Sequence, residues 1–332
     1  MEKRTLGDSD FEVSVFGLGC WPLGGGSGWG DQDEKESIAT VHAALDHGMT
    51  LFDTAEAYNA GRSEEVLGKA LEGRRDEALI ATKISPSNAE PDTLRAHCEA
   101  SLERLRTDYI DLYQVHWPIT EYPVEDAYAT LEDLQKEGKI RGIGVSNHGV
   151  KQLGEVFDTG VPIVSNQLSY SLLSRAIETG IAPLCREQGI GIIAYMALMQ
   201  GLLAGVWDSP DEVPPFRART RHFSGDRPQA RHGEEGAEEE MFAALGRIEE
   251  IAGDLGVPMA HVALAWVAAK PGVSCVLVGG RKVHQLERNL GAAELELPPD
   301  VIAALDEATE KLRLKLGPNA DYFQGSGEGR IE

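Results

Sequence analysis

Short apolar runs recur along the chain, and one after another ends on a polar side chain. Met49 to Phe52 leads to Asp53, Ala78 to Thr82 to Lys83, and Ile110 to Val115 to His116. Gly142 to Val145 leads to Ser146 and Asn147, Ile163 to Asn166 to Gln167, Ile192 to Ala194 to Tyr195, and Cys275 to Gly280 to Arg281. Between these runs lie longer segments with apolar residues on one helical face. Such alternation reads as parallel strands joined by crossover helices. Its length predicts an α/β fold, a closed (β/α)8 barrel of the TIM type. The polar residues just past the strand ends then gather on the C-terminal rim, where such barrels carry their chemistry.

The remaining elements complete that picture. Arg4 to Val13 predicts a β-hairpin with Gly7 and Asp8 at its turn, able to plug one end of the barrel. Val15 to Leu18 is the first barrel strand, followed by a loose loop over Gly24, Gly25, Gly26, Ser27 and Gly28. Helices are expected from Asp33 to His47, from a cap at Ser63, from Asp92, and over Val124–Glu137, Lys151–Phe157 and Glu178–Gln188. The rhythm breaks over 206–236, a stretch rich in Pro, Asp, Glu and Arg without periodicity. So long a loop in a compact domain is a lid over the rim or a mobile segment. Helices follow over Glu238–Leu255 and from Pro258 through Ala269, then a last strand, Ser274–Val278, and a helix from Val283. An appended C-terminal helix, Pro299–Leu314, precedes a Gly-rich segment, 317–332, expected to be a flexible tail. No linker divides the chain, so 1–332 is expected to form one barrel domain.

Composition narrows the function classes. The 332 residues carry 54 acidic and 31 basic side chains, a net charge of −23. That balance disfavours nucleic acid or an anionic membrane as partner. It fits a well-solvated surface, with adaptation to high salt as the sharper reading. Cys20, Cys98, Cys185 and Cys275 have no metal-ligand spacing, and reduced buried thiols suggest a cytoplasmic protein. The first residues lack an apolar core for a secretion signal, and no run reaches the length of a membrane span.

Four residues on consecutive strand ends can converge. Adjacent strands lie about 4.8 Å apart, so Asp53, Tyr58, Lys83 and His116 can share one site. Asp53 would hold Lys83 charged. The ammonium would lower the pKa of Tyr58 from a phenol's ordinary value near ~10. Tyr58 could then protonate an oxygen becoming an alkoxide while His116 orients that oxygen. Each residue alone is more ordinarily an ion pair or a packed side chain; the four together favour chemistry. With one good neutral ligand, His116, the group is poor for metal.

The matching segments are Gly17–Trp21, Phe52–Tyr58, Ala81–Lys83, Asp111–Trp117, Lys139–Asn147, Asn166–Tyr170, Gln200–Leu203 and Gly279–Lys282. On these the chain resembles the aldo-keto reductases over nearly its whole length. The resemblance implies Asp53, Tyr58, Lys83 and His116 as a catalytic tetrad that reduces an aldehyde or ketone to an alcohol, reversibly, with Tyr58 as acid. It implies NADPH or NADP, with NADH also open, bound extended across the barrel mouth; no GxGxxG follows a first strand. Ser146, Asn147 and Gln167 then match residues that bond the carboxamide, and Tyr195 the ring that stacks on the nicotinamide. Trp21, Met196, Leu198, Gly201, Gly279 and Gly280 fall on the remaining cofactor wall. Arg281 could fork onto a 2′-phosphate, with Gln285 and Asn289 on the adenine side.

The family commonly has Ser-Pro-Leu where this chain has Met196-Ala197-Leu198. Restoring Ser-Pro would be expected to tighten cofactor binding. Trp21, Trp29 and Trp117 are candidates for an apolar substrate pocket, and the arginines of 217–231 could meet an anionic substrate or only solvent. Two other readings stand beside a reductase of small carbonyl compounds. One is a Schiff-base lyase using Lys83, which needs a lowered lysine pKa. The other is a non-catalytic nicotinamide-nucleotide-sensing subunit. Both a monomer and a homo-oligomer fit the sequence.

Overall fold

The computed structural model describes residues 1–26, 28–325 and 327–332. Ser27 of the glycine-rich loop and Ser326 of the C-terminal segment lie outside the described residues. Strands β1 (Lys3–Thr5) and β2 (Glu12–Ser14) pair antiparallel. Eight parallel strands then close a barrel. They are β3 (Phe16–Gly19), β4 (Leu51–Asp53), β5 (Leu79–Ile84), β6 (Ile110–Val115), β7 (Ile140–Ser146), β8 (Ser165–Ser169), β9 (Gly191–Tyr195) and β10 (Val273–Gly279). Each pairs with its neighbour in the chain, and β10 closes on β3.

The strands read as continuous apolar runs because both of their faces are covered. Inside the barrel, Leu51, Ala81, Leu112, Ile193 and Cys275 pack with Leu6 and Val13 of the β1–β2 hairpin. The hairpin is thus the expected plug. Its turn fits closely: a Cβ on Gly7, at φ +61°, would lie 2.3 Å from the carbonyl oxygen of Gly189. Outside, the larger core joins the outward strand residues to the helices. These are α1 (Glu34–Asp46), α2 (Arg62–Ala70), α3 (Pro91–Leu105), α4 (Val124–Lys136), α5 (Val150–Asp158), α6 (Ile181–Glu187), α7 (Glu238–Leu255), α8 (Met259–Ala268) and α9 (Val283–Leu290). None of the described helices is by itself long and apolar enough to cross a membrane.

Several local expectations are corrected. Ser63 does not cap α2. Gly61 does so in a left-handed conformation, and the buried Ser63 hydroxyl instead donates to Cys20 O and accepts from Thr54. The cap of α3 is Glu90, two residues before Asp92. Gly180 breaks the segment expected over Glu178–Gln188 into a 3-10 turn and α6. Thr309 divides the appended helix into α10 (Pro299–Ala308) and α11 (Glu310–Leu316). The 317–332 segment, expected to be a loose tail, packs down. Asp321, Tyr322 and Ile331 are buried, and Glu332 N–H donates to Gln152. Aromatic and apolar side chains among its glycines decide this. The 206–236 stretch is irregular as expected, yet Val213, Ala218, His222 and Phe223 are buried, and Arg221 N–H donates to Tyr322 O. Loop and C-terminal segment form one cover beside the barrel mouth.

Candidate active site

Strand ends bring the expected residues together. Asp53 is the last residue of β4, Lys83 the next to last of β5, and His116 follows β6 directly. Tyr58 comes from the turn after β4. The Lys83 ammonium is fully buried and donates to Asp53 Oδ1 at 2.7 Å, Thr54 O at 2.8 Å and the Tyr58 hydroxyl oxygen at 3.2 Å. The His116 ring stands edge-on to Tyr58, 5.7 Å between centroids. Trp21 stacks on Tyr58 at 5.6 Å, and Trp29 meets Trp21 edge-on at 5.6 Å.

The electrostatics differ in one sign from the expectation. Burial is the largest influence on Tyr58 and raises its pKa. Lys83 pulls it down, but the net shift is upward, so the expected lowering is corrected. The phenol therefore stays protonated at neutral pH, the state a proton donor needs. Burial opposes the charge on Lys83, yet Asp53 and Tyr58 favour it more, and its pKa ends above the ordinary value. A Schiff-base lysine needs the opposite shift. Burial, with the charges of Lys83 and Arg330, pushes His116 down to about 3, so its ring is neutral.

A hydrogen-bonded chain extends from this group around the rim. Gln167 Nε2 donates to Asp53 Oδ2 at 2.6 Å, and Gln114, which the sequence did not single out, donates to the same oxygen at 3.3 Å. Gln114 sits inside β6 in register with Lys83, and only closure of the barrel turns it toward Asp53. Ser146 Oγ donates to Gln167 O, and Asn147 Nδ2 donates to Ser146 Oγ and His116 O. Tyr195 OH donates to Asn147 Oδ1 at 2.8 Å. Asn147 adopts φ 61°, a left-handed conformation that asparagine tolerates better than most residues.

The wall expected to meet a dinucleotide is knit at its far end. Arg281 donates through Nε to Gln32 Oε1 and through Nη2 to Asp31 O, while its own N–H is held by Gln285 Oε1. Asn289, buried, donates to Gly279 O. Gln285 and Asn289 thus each spend a group on the turn that presents Arg281. A Cβ on Gly279 would meet nothing, whereas one on Gly280 would crowd Leu286 at 3.1 Å. Between the two ends runs the loop after β9, with Met196, Met199 and Gln200 at φ 58°, 44° and 53° and Gly201 at 111°. Over it lies Arg217, donating to Gln200 O at 2.6 Å, with its guanidinium 5.5 Å from the Trp29 ring and 5.4 Å from that of Trp207. Gln200 Oε1 and Trp29 Nε1 are buried without a hydrogen-bond partner among the described residues. The unspent donor Trp29 Nε1 beside the Arg217 guanidinium suits a phosphate-bearing ligand, and the unspent acceptor Gln200 Oε1 suits a hydroxyl or amine on it. Arg217 and Gln200 carry no strand-end signal; a lone Arg within an aperiodic loop gives the sequence little to act on.

Trp117 follows β6, three strands along the barrel from β3, which Trp21 follows. The guanidinium of Arg330 covers its ring at 3.6 Å. Phe216 lies 6.3 Å from Trp21.

The fold is an α/β barrel with its candidate active site at the C-terminal ends of the strands. The model of the aldo/keto reductase family matches residues 15–310, and this chain belongs to that family. The aldo-keto reductase YhdN of Bacillus subtilis is 36% identical over 86% of this chain and 87% of its own length. The NADH-specific methylglyoxal reductase of Escherichia coli is 32% identical over 94% and 99%. Among solved structures, the glycerol dehydrogenase of Gluconobacter oxydans aligns with a TM-score of 0.81 at 31% identity, covering 96% of each chain. A Klebsiella pneumoniae aldo/keto reductase solved with NADP and acetate aligns at 0.74 with 27% identity, covering 100% of this chain and 99% of its own.

Proposed function

We propose that this chain reduces an aldehyde or ketone to an alcohol, reversibly, with a nicotinamide dinucleotide and with Tyr58 as general acid. The observation that carries the reading is the Tyr58 hydroxyl, 3.2 Å from a buried ammonium that Asp53 holds in place. The dinucleotide, when bound, supplies the hydride. Tyr58 supplies the proton, and the neutral ring of His116 orients the carbonyl oxygen beside it. Lys83, kept charged, stabilises the phenolate left after the proton departs. Trp21, Trp29 and Trp117 would exclude water. The same groups run the oxidation in reverse, with Tyr58 as base.

Ser146, Asn147, Gln167 and Tyr195 would hold the nicotinamide end. The Met196–Gly201 loop with Arg217 would hold the phosphates, and Arg281 with Gln285 and Asn289 the adenosine end. No carboxylate pairs with Arg281 among the described residues; its side-chain partners are a neutral amide and a carbonyl. That supports NADPH over NADH, although one relative is named NADH-specific. A Lys83 lyase is opposed by the raised lysine pKa. A purely sensing role gives no account of a half-buried phenol aligned with a buried ammonium.

Turnover of a panel of aldehydes and ketones with NADPH and with NADH tests the reading. We expect reduction, with NADPH preferred, and Arg281→Ala reducing that preference by about 1–3 kcal/mol, the worth of a hydrogen bond to a charged group. No turnover with either cofactor would remove the enzyme reading. Equal affinities for the two in the parent protein would remove the role of Arg281.

A further inference from the structure

The mouth of the site carries positive charge that the proposed reduction does not use. Arg219 lies in the 206–236 loop, three residues after Phe216. Its guanidinium is 4.2 Å from the Phe216 ring and 5.3 Å from that of Phe323. Its Nε is buried without a hydrogen-bond partner, and no carboxylate pairs with it among the described residues. Burial, then the charge of Arg231, pull its pKa down. Phe216 in turn approaches Trp21, which stacks on Tyr58.

Arg330 lies near the same mouth. Its Nε and Nη2 fork onto the buried Asp321 at 2.7 and 3.0 Å, which fixes the guanidinium over Trp117, the residue after His116. Its charge is close enough to weigh on His116. The fork leaves Nη1 with its N–H groups unspent. The turn of the C-terminal segment joins the two arginines, since Phe323 N–H donates to Asp321 Oδ1. Of the two guanidinium groups near the aromatic rings, Arg330 is balanced by Asp321 and offers only the donors of Nη1, while Arg219 carries a charge that no carboxylate offsets among the described residues. A half-buried, unpaired cation is a costly arrangement unless an anion visits it.

We propose that Arg219 and Arg330 form a subsite for an anionic group on the substrate, so that the chain favours aldehydes and ketones carrying a carboxylate over their neutral counterparts. The inference rests on the reductase reading above. Aromatic walls would hold the body of such a substrate, and the carboxylate would lie outward, toward the turn Asp321–Phe323, with its carbonyl at Tyr58.

The test compares 4-formylbenzoate with its methyl ester, each reduced with NADPH by the full chain. The ester group withdraws electrons, so the ester is the intrinsically more reactive aldehyde. A preference for the acid would have to come from the protein. We expect kcat/KM for the acid to exceed that for the ester by about tenfold or more at low ionic strength, with the ratio falling as salt screens the arginines. Arg219→Gln breaks no ion pair, and it should lower the ratio several-fold. Arg330→Gln should lower it as well, and Arg330→Lys should restore part of it. A ratio at or below one in the parent, or a ratio unchanged in both Gln variants, overturns the subsite while leaving the reductase reading intact. Reduction of neither aldehyde would overturn that reading and the subsite with it.

Discussion

Tyr58 shows how competing effects settle at a single residue. An ammonium at 3.2 Å favours the phenolate, but burial of the ring favours the phenol more, and the pKa rises. The phenol is therefore protonated at neutral pH, as the proposed role of proton donor requires. Replacing Tyr58 with Phe should lower kcat for carbonyl reduction by about 10²-fold or more, the scale of lost general-acid assistance. Dinucleotide affinity, read from quenching of tryptophan fluorescence, should barely change; full activity in the variant would dismiss Tyr58 as the acid. The pH profile gives a second check. Tyr58 is protonated below its raised pKa, and His116 is neutral above about 3. Neither titrates between pH 5 and 9 on the order of the reference values, so kcat/KM for reduction should be flat there. A fall beginning near pH 8 would mean that the phenol ionises far more easily than its burial implies.

At the scale of the element, the loop after β9 holds Met196-Ala197-Leu198 where the resemblance leads one to expect Ser-Pro-Leu. Met196 has φ 58°, and Ala197 behind it is buried at 1% exposure. A proline at 197 pushes the residue before it toward extended conformations and away from the one Met196 adopts, and its ring has no room to enter. The expectation that Ser-Pro would tighten the loop is thereby reversed. Ala197→Pro should cost more than about 1 kcal/mol of stability, the scale of strain at one residue, and should speed dinucleotide release in stopped-flow. Slower release would show that the loop can adopt the other form. The loop's own solution uses left-handed residues at Met199, Gln200 and Gly201 and the strap of Arg217 donating to Gln200 O.

At the scale of the whole molecule, the irregular segments are tied into the fold through buried polar groups. His222, fully buried in the 206–236 loop, contacts Leu173 O at 2.8 Å and Thr220 Oγ1 at 3.1 Å, one ring nitrogen to each. Burial pushes its pKa down to about 4. Between pH 6.5 and 4 the unfolded chain takes up a proton there that the folded chain refuses. The stabilising contribution is whole above pH 6.5 and is lost as pH falls toward 4, with a slope of about 1.4 kcal/mol per pH unit. Urea unfolding of His222→Gln should therefore show a shallower fall of stability across that window than the parent. Parallel slopes would mean that His222 takes up its proton in the folded state as readily as in the unfolded one. Stability should be lost first where the loop meets the C-terminal segment, since Arg221 N–H to Tyr322 O lies one residue away.

The period of apolar and polar residues determined the barrel by itself. Strands covered on both faces need continuous apolar runs, and a polar residue at each C-terminal end has only the rim to go to, so Asp53, Lys83, His116, Ser146 and Tyr195 were legible before any coordinates. Tyr58 was legible by its fixed distance from Asp53. Tertiary structure decided what depends on distant segments meeting. Gln114 reaches Asp53 because closure of the barrel turns one side of β6 inward. Ser63 left the helix cap for a bond to Cys20 O on a loop 43 residues away. The sign of the Tyr58 shift depended on how completely Trp21 and its neighbours remove water, a quantity no local pattern carries. The docked C-terminal segment, with Arg330 over Trp117 and Asp321 beneath it, was hidden because glycine-rich sequence has no period. Its order comes from partners far along the chain.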